Sequence, residues 1–193
     1  KWARAAGAKR FGLHTMMVSN ERSEQALVEQ SRILFKAAAR IHEETGIEFD
    51  FINLGGGVGI PYKPEDHKVD LGMFADGVEE AYKDVILKAG MKPPRIVMES
   101  GRAITGPHGW LVTQVRHVTK KHRNYVGVDA SMANLMRPGI YGAYHHITVL
   151  GKEDAKLDTK YDVTGSLCEN NDKFAIDRML PGIEKGDILA IHN

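Results

Sequence analysis

Cysteine is nearly absent from this chain: Cys168 is the only one in 193 residues. That excludes a disulfide framework and a paired-cysteine zinc ribbon, both of which need thiols in pairs. No apolar run approaches the roughly 20 residues that span a bilayer. An excess of one charge is missing too. Lys plus Arg number 26 and Asp plus Glu 25, a formal net charge of +1, so no field of one sign draws the chain to nucleic acid or an anionic membrane. What remains is ordinary: 42% hydrophobic and 26% charged residues belong to a globular protein, not a disordered one. The length suits one large domain or two small ones. Nine histidines raise the question of metal. However, the zincin-like start His42-Glu43-Glu44-Thr45 meets Gly46 where a second histidine is needed. His145 and His146 are adjacent and would face opposite sides of a strand. No metal site is expected.

The first half alternates short apolar runs with long amphipathic ones. Strands are predicted at Arg10 to His14, Glu48 to Leu54 and Arg95 to Glu99. Between them, Asn20 to Thr45 and about Met73 to Ala89 place apolar residues at helical spacing, with Gly46 and Gly90 suited to their ends. Strand, helix, strand, helix, strand is the pattern of parallel βα units. After about Thr105 the pattern changes. Trp110 to Thr119, Tyr125 to Asp129, His146 to Leu150, Tyr161 to Thr164 and Asp187 to Ile191 are short β-type runs set between Gly, Pro, Asn and Asp clusters. The second half reads as all-β, with a short linker near Gly101 to Pro107.

Four segments carry chemistry. Gly55-Gly56-Gly57-Val58-Gly59 follows a strand directly, which exposes backbone amides suited to an anion such as phosphate. It fits neither the dinucleotide fingerprint nor the Walker loop, and it also fits a plain tight turn. Glu99-Ser100-Gly101-Arg102 ends the third strand, where βα barrels place functional side chains; a surface ion pair is the plainer alternative. Arg137-Pro138-Gly139-Ile140-Tyr141 offers a guanidinium able to hold a carboxylate bidentately, or else a surface loop. Cys168-Glu169 sits in a polar loop, where a thiol can act as acid or nucleophile, although lone cysteines more often pack.

Taken together and in order, these pieces resemble the diaminopimelate decarboxylase branch of the ornithine, diaminopimelate and arginine decarboxylases. The landmarks are FGLH (Phe11 to His14), INLGGGVGIPY (Ile52 to Tyr62), ESGR (Glu99 to Arg102), VDASMANLMRPGIYGAYH (Val128 to His145), SLCENND (Ser166 to Asp172) and GDILAIHN (Gly186 to Asn193). The resemblance implies a cytoplasmic pyridoxal-phosphate enzyme with the C-terminal part of a (β/α)8 barrel over residues 1–105. A β-barrel or β-sandwich domain, incomplete, follows over 106–193. It also implies a homodimer with active sites at the interface. It makes His14 the residue stacked on the cofactor ring and a catalytic residue. Gly55, Gly56 and Gly57 become the phosphate cradle, and Glu99 the partner of the pyridine nitrogen. Ser100, Gly101 and Arg102 become further cofactor contacts, with Arg102 also able to meet a substrate carboxylate. Arg137, Tyr141 and Glu169 become substrate ligands, and Cys168 the proton donor that crosses the dimer interface.

The family's cofactor-anchoring lysine would lie upstream of Lys1, and its late aromatic beyond Asn193. The chain is therefore expected to be a piece of a longer protein, inactive alone. Thr15 to Asn20 replaces the commoner glycine-serine segment, so Ser19 or Asn20 is a candidate substitute contact. Two other readings stand beside the leading one, decarboxylation of meso-diaminopimelate to L-lysine. One is a decarboxylase of another basic amino acid or polyamine precursor, against which Glu169 and Arg137 speak. The other is a non-catalytic binding homologue, which need not keep His14, Glu99, Arg102 and Cys168.

Overall fold

The computed structural model describes residues 2–193. They pack into two units. One runs up to Pro61 and from His67 to Gly106; the other joins Tyr62–Asp66 to Pro107–Asn193. The short piece 62–66 thus packs with the second unit, although in sequence it lies within the first.

In the first unit, α1 (Trp2–Ala5) precedes strand β1 (Gly12–His14), helix α2 (Glu24–Thr45) and strand β2 (Phe51–Asn53). Helix α3 (Leu71–Tyr82), strand β3 (Arg95–Val97) and the short helix α4 (Gly101–Thr105) follow. Ser23 caps α2 by accepting from the Ala26 amide at 3.2 Å, and Gly46 closes it in the left-handed region at φ 64°. The helix begins at Glu24 instead of Asn20 because Asn20 has φ 54°, outside helical space, and its Oδ1 accepts from the Ile60 amide at 3.1 Å. Asp70 caps α3 through the Gly72 and Met73 amides. A single π turn at Lys83–Leu87 continues α3 and keeps Ile86 buried.

The strands pair in parallel in the order β1-β2-β3, with Leu13 beside Ile52 and Ile52 beside Ile96. Phe35, Ala38, Ile52, Leu54, Ala81 and Ile86 form the core between helices and sheet. The β3 edge is open: Ile96, Val97 and Met98 stay 37–40% exposed.

The second unit holds six strands: β4 (Trp110–Lys120), β5 (Asn124–Val128), β6 (Ile147–Val149), β7 (Thr159–Thr164), β8 (Lys173–Leu180) and β9 (Ile188–His192). A five-residue helix, α5 (Arg137–Tyr141), interrupts them. All six join one sheet in the order β6-β9-β4-β5-β7-β8. It is mixed, because β5 and β7 run parallel while the other neighbours are antiparallel. The first half of β4 pairs with β9 and the second half with β5, with an irregularity between Val115 and His117. Val115, Val126, Val163, Phe174, Leu189 and Ile191 lead its core.

Strand β8 was not expected from the sequence. Phe174 and Ala175 are both buried, Ile176 is exposed, and Asp177 has φ 48°. These break the alternation by which strands are recognised.

Candidate functional site

Parallel register sets His14 beside Asn53 and Asn53 beside Val97, so the chain leaves all three strands of the first unit at one end. Glu99 lies two residues past β3. Asn53, 9% exposed, links this end together. Its Nδ2 donates to Glu99 Oε1 at 2.6 Å, and its Oδ1 accepts from the Gly55 amide at 2.9 Å. His14 Nε2 stands 3.9 Å from Glu99 Oε2. Both of those side chains remain about half exposed, so one carboxylate oxygen is held by an amide while the group still faces outward.

The glycine run is required by packing. A side chain on Gly55 (φ 74°) would overlap the Thr15 carbonyl, and one on Gly57 (φ 88°) the Val18 carbonyl. On Gly56 it would stand 2.7 Å from the Glu99 carbonyl. The loop passes directly over the exits of β1 and β3, and only hydrogen fits. Its amides are partly committed: Gly55 donates to Asn53, and Gly56 donates to Met16 Sδ at 3.4 Å. The Gly57 carbonyl accepts from the Glu21 amide at 2.8 Å.

Ser100 lines a groove of about 810 Å³ with Leu54, Val58, Phe74, Ile96 and Met98, a wall that Glu99 does not share. Its Oγ is buried there without a hydrogen-bond partner among the described residues. The Gly101 amide donates to the Glu99 carbonyl at 2.7 Å. Arg102, half buried in α4, runs past Gly106. Ser19 is exposed, whereas the Asn20 acceptor is taken by the loop itself.

In the second unit, Arg137 opens α5. Its Nη1 donates to Tyr62 Oη at 2.9 Å and meets His145 Nε2 at 3.1 Å, and the Tyr62 ring lies 4.9 Å from the guanidinium carbon. Among the described residues, no carboxylate ion-pairs with Arg137. Tyr141 is 72% exposed. Cys168 is an exposed free thiol. Its loop is pinned by buried Asp172, whose two oxygens accept from the Met132 amide at 2.6 Å and the Leu167 amide at 2.7 Å. Glu169 Oε1 accepts from the Asn171 amide at 3.0 Å. The loop also abuts α5, for a side chain on Gly139 would overlap the Asn171 carbonyl.

Close by, Arg178 donates to the His145 carbonyl at 2.8 Å and stacks 3.9 Å over the Tyr144 ring. Burial pushes Arg178, His146 and His192 below their ordinary pKa values.

Asn53, Tyr62, His145 and Asp172 gained no role from the sequence, although all four sit inside the quoted motifs. Among the described residues no cluster of three metal-type ligands occurs, and no helix is long and apolar enough to cross a membrane.

A family model described as pyridoxal-dependent decarboxylase, C-terminal sheet domain, matches residues 49–193. Protein TabA of Pseudomonas amygdali pv. tabaci is 48% identical over 97% of this chain and 44% of its own length. A diaminopimelate decarboxylase of Methanothermobacter thermautotrophicus is 40% identical over the same shares. The crystal structure of the Helicobacter pylori diaminopimelate decarboxylase complexed with L-lysine superposes with a TM-score of 0.83 at 31% identity, covering 99% of this chain and 45% of that one. The chain therefore spans less than half the length of these relatives.

Proposed function

Since this chain belongs to the pyridoxal-dependent decarboxylases, we propose that the intact protein decarboxylates meso-diaminopimelate to L-lysine with pyridoxal 5'-phosphate as cofactor. The first unit then supplies the last βα units of a closed (β/α)8 barrel, and the second its C-terminal β-barrel-type domain. The observation that carries the reading is the Glu99 carboxylate, fixed by Asn53 beside His14 and still open outward.

The residues present fit the cofactor. An outward carboxylate favours the charged form of a ring nitrogen placed against it, and Asn53 holds Glu99 ready for that pairing. His14 offers a flat ring to one face. With the Gly55, Gly56 and Gly101 amides committed inside the protein, the grip on the phosphate rests on Gly57 and on the charge of Arg102. The cofactor, when bound, supplies the electron sink for the pair left behind as carbon dioxide departs.

Arg137 binds the distal carboxylate, Glu169 the distal amine and Tyr141 the substrate backbone. Cys168 delivers the proton to the carbon that lost carbon dioxide. In a homodimer, Cys168 and Glu169 serve the site of the second copy. A second reading is kept by the 48% identical relative that bears a different name: the same chemistry on another basic amino acid or polyamine precursor. Carbon dioxide release by the intact protein from diaminopimelate, lysine and ornithine tests both; preference for ornithine moves the assignment to the second.

A further inference from the structure

We propose that His145 is a positioning residue for Arg137. As the neutral Nδ1–H tautomer it accepts from one guanidinium nitrogen, and it thereby turns the other edge of that side chain toward a carboxylate. This rests on the proposed function only in taking that carboxylate to be the substrate's.

The tautomer follows from the partners. Arginine carries only donors, so at the 3.1 Å contact between Arg137 Nη1 and His145 Nε2 the imidazole must present a lone pair. On the other side, His145 Nδ1 lies 2.8 Å from the His192 carbonyl, which can only accept. That nitrogen therefore carries the proton. One neutral ring satisfies both contacts, whereas an imidazolium would set N–H against N–H. The ring has no freedom to do otherwise. It is fully buried, stands edge-on to Tyr62 at 5.2 Å, and its own carbonyl is held by Arg178.

The consequence falls on Arg137. Both protons of Nη1 are taken, one by His145 and one by Tyr62 Oη. Among the described residues, Nε and Nη2 donate to no group and are not among the buried unpartnered atoms. They form the fork that matches a carboxylate with two parallel bonds. An acidic residue in place of His145 would orient the fork equally well but would neutralise its charge. A neutral nitrogen acceptor fixes the geometry and leaves the full positive charge for the ligand.

The test uses the intact holoenzyme with His145→Leu, His145→Gln and His145→Glu. His145→Leu is expected to raise KM for diaminopimelate about 10-fold with kcat within about twofold, the size of one lost hydrogen bond to a charged group. Inhibition by L-lysine, which has no distal carboxylate, should not change. His145→Gln keeps an acceptor and should recover most of the loss; His145→Glu should lose more than His145→Leu. Equal losses for diaminopimelate and lysine, or no recovery in His145→Gln, would overturn the proposal. A second readout needs no substrate: in 15N-histidine-labelled protein, His145 should show a protonated Nδ1 and a bare Nε2 whose signal moves in Arg137→Met. A protonated Nε2, or a signal indifferent to Arg137, also overturns it. If the wild type fails to turn over diaminopimelate, the substrate assignment falls while the ring measurement still decides the role of His145.

Discussion

Asn53 donates to Glu99 across 46 residues of sequence, at 2.6 Å, while its other side-chain atom accepts from the Gly55 amide. One buried amide therefore ties the outward carboxylate to the glycine loop. Replacing Asn53 by Leu removes both bonds. Because a hydrogen bond to a charged group is worth about 1.5–3 kcal/mol, cofactor affinity of the intact protein should fall roughly 10- to 100-fold. Titration of the apoprotein with pyridoxal phosphate, followed by its absorbance, measures this. Unchanged affinity in a folded Asn53→Leu protein would detach Asn53 from the site.

The glycine loop and the short helix after it make a contrasting pair. Gly57→Ala forces a side chain into φ 88° and against the Val18 carbonyl. A loss of about 3 kcal/mol is expected from strain plus overpacking. Gly101 is in α4, and a methyl there meets nothing within 4 Å, so Gly101→Ala should be neutral or slightly stabilising. Urea unfolding of both variants decides. A Gly57→Ala protein as stable as wild type would mean the loop relaxes more freely than its packing indicates.

The sequence does not reveal that Gly57 is hemmed in by backbone while Gly101 stands in open space, because both sit in motifs of equal prominence. The long helices and most strands are legible because apolar spacing reports burial, as Leu27, Leu34 and Ala38 do on α2; β8 is not, because its burial does not alternate. Asn53 and His145 are not, because their importance lies in partners brought close by folding: Glu99 in one case, Arg137 and the His192 carbonyl in the other. Asp172 is similar. Its sequence neighbours suggest a polar loop, but it is buried and holds the Cys168 loop through two backbone amides.

Acid should weaken the second unit. Burial lowers the pKa of His146, with the charges of His192 and Arg178 acting the same way and Glu65 opposing; burial alone lowers that of His192. Above the ordinary value of 6.5 these rings are neutral whether the chain is folded or not, and the stability they contribute is fully present. As pH falls below it, the unfolded chain takes up protons that the native rings resist, so stability is lost. Tm should therefore drop between pH 7.5 and 5.5, and less so in His146→Gln. An identical drop in that variant would assign the acid sensitivity to other groups.

Cys168 is exposed on a loop whose backbone is fixed by Asp172. In the intact enzyme Cys168→Ala should still bind cofactor and substrate but reprotonate the decarboxylated carbon slowly or wrongly. General-acid steps are worth about 10²–10⁴-fold, and kcat should fall within that range while the bound-cofactor spectrum is kept. Unchanged turnover and product partition would remove Cys168 from the mechanism.

Substrate choice turns on the far end of the molecule. Diaminopimelate carries an amine and a carboxylate there, whereas lysine and ornithine carry only the amine. Arg137 is half buried, has no carboxylate partner among the described residues, and keeps one edge of its guanidinium uncommitted. A site with such a cation binds a ligand poorly when the matching anion is missing, since the charge is then desolvated without a partner. The intact protein should therefore prefer diaminopimelate over lysine and ornithine in kcat/KM. Arg137→Ala should lower kcat/KM for diaminopimelate and narrow the preference. Glu169→Ala should lower kcat/KM without narrowing it as much, because all three substrates share the distal amine. Measuring three substrates on wild type and both variants separates the two roles. If Arg137→Ala lowered all three substrates alike, the distal carboxylate would not be what Arg137 reads.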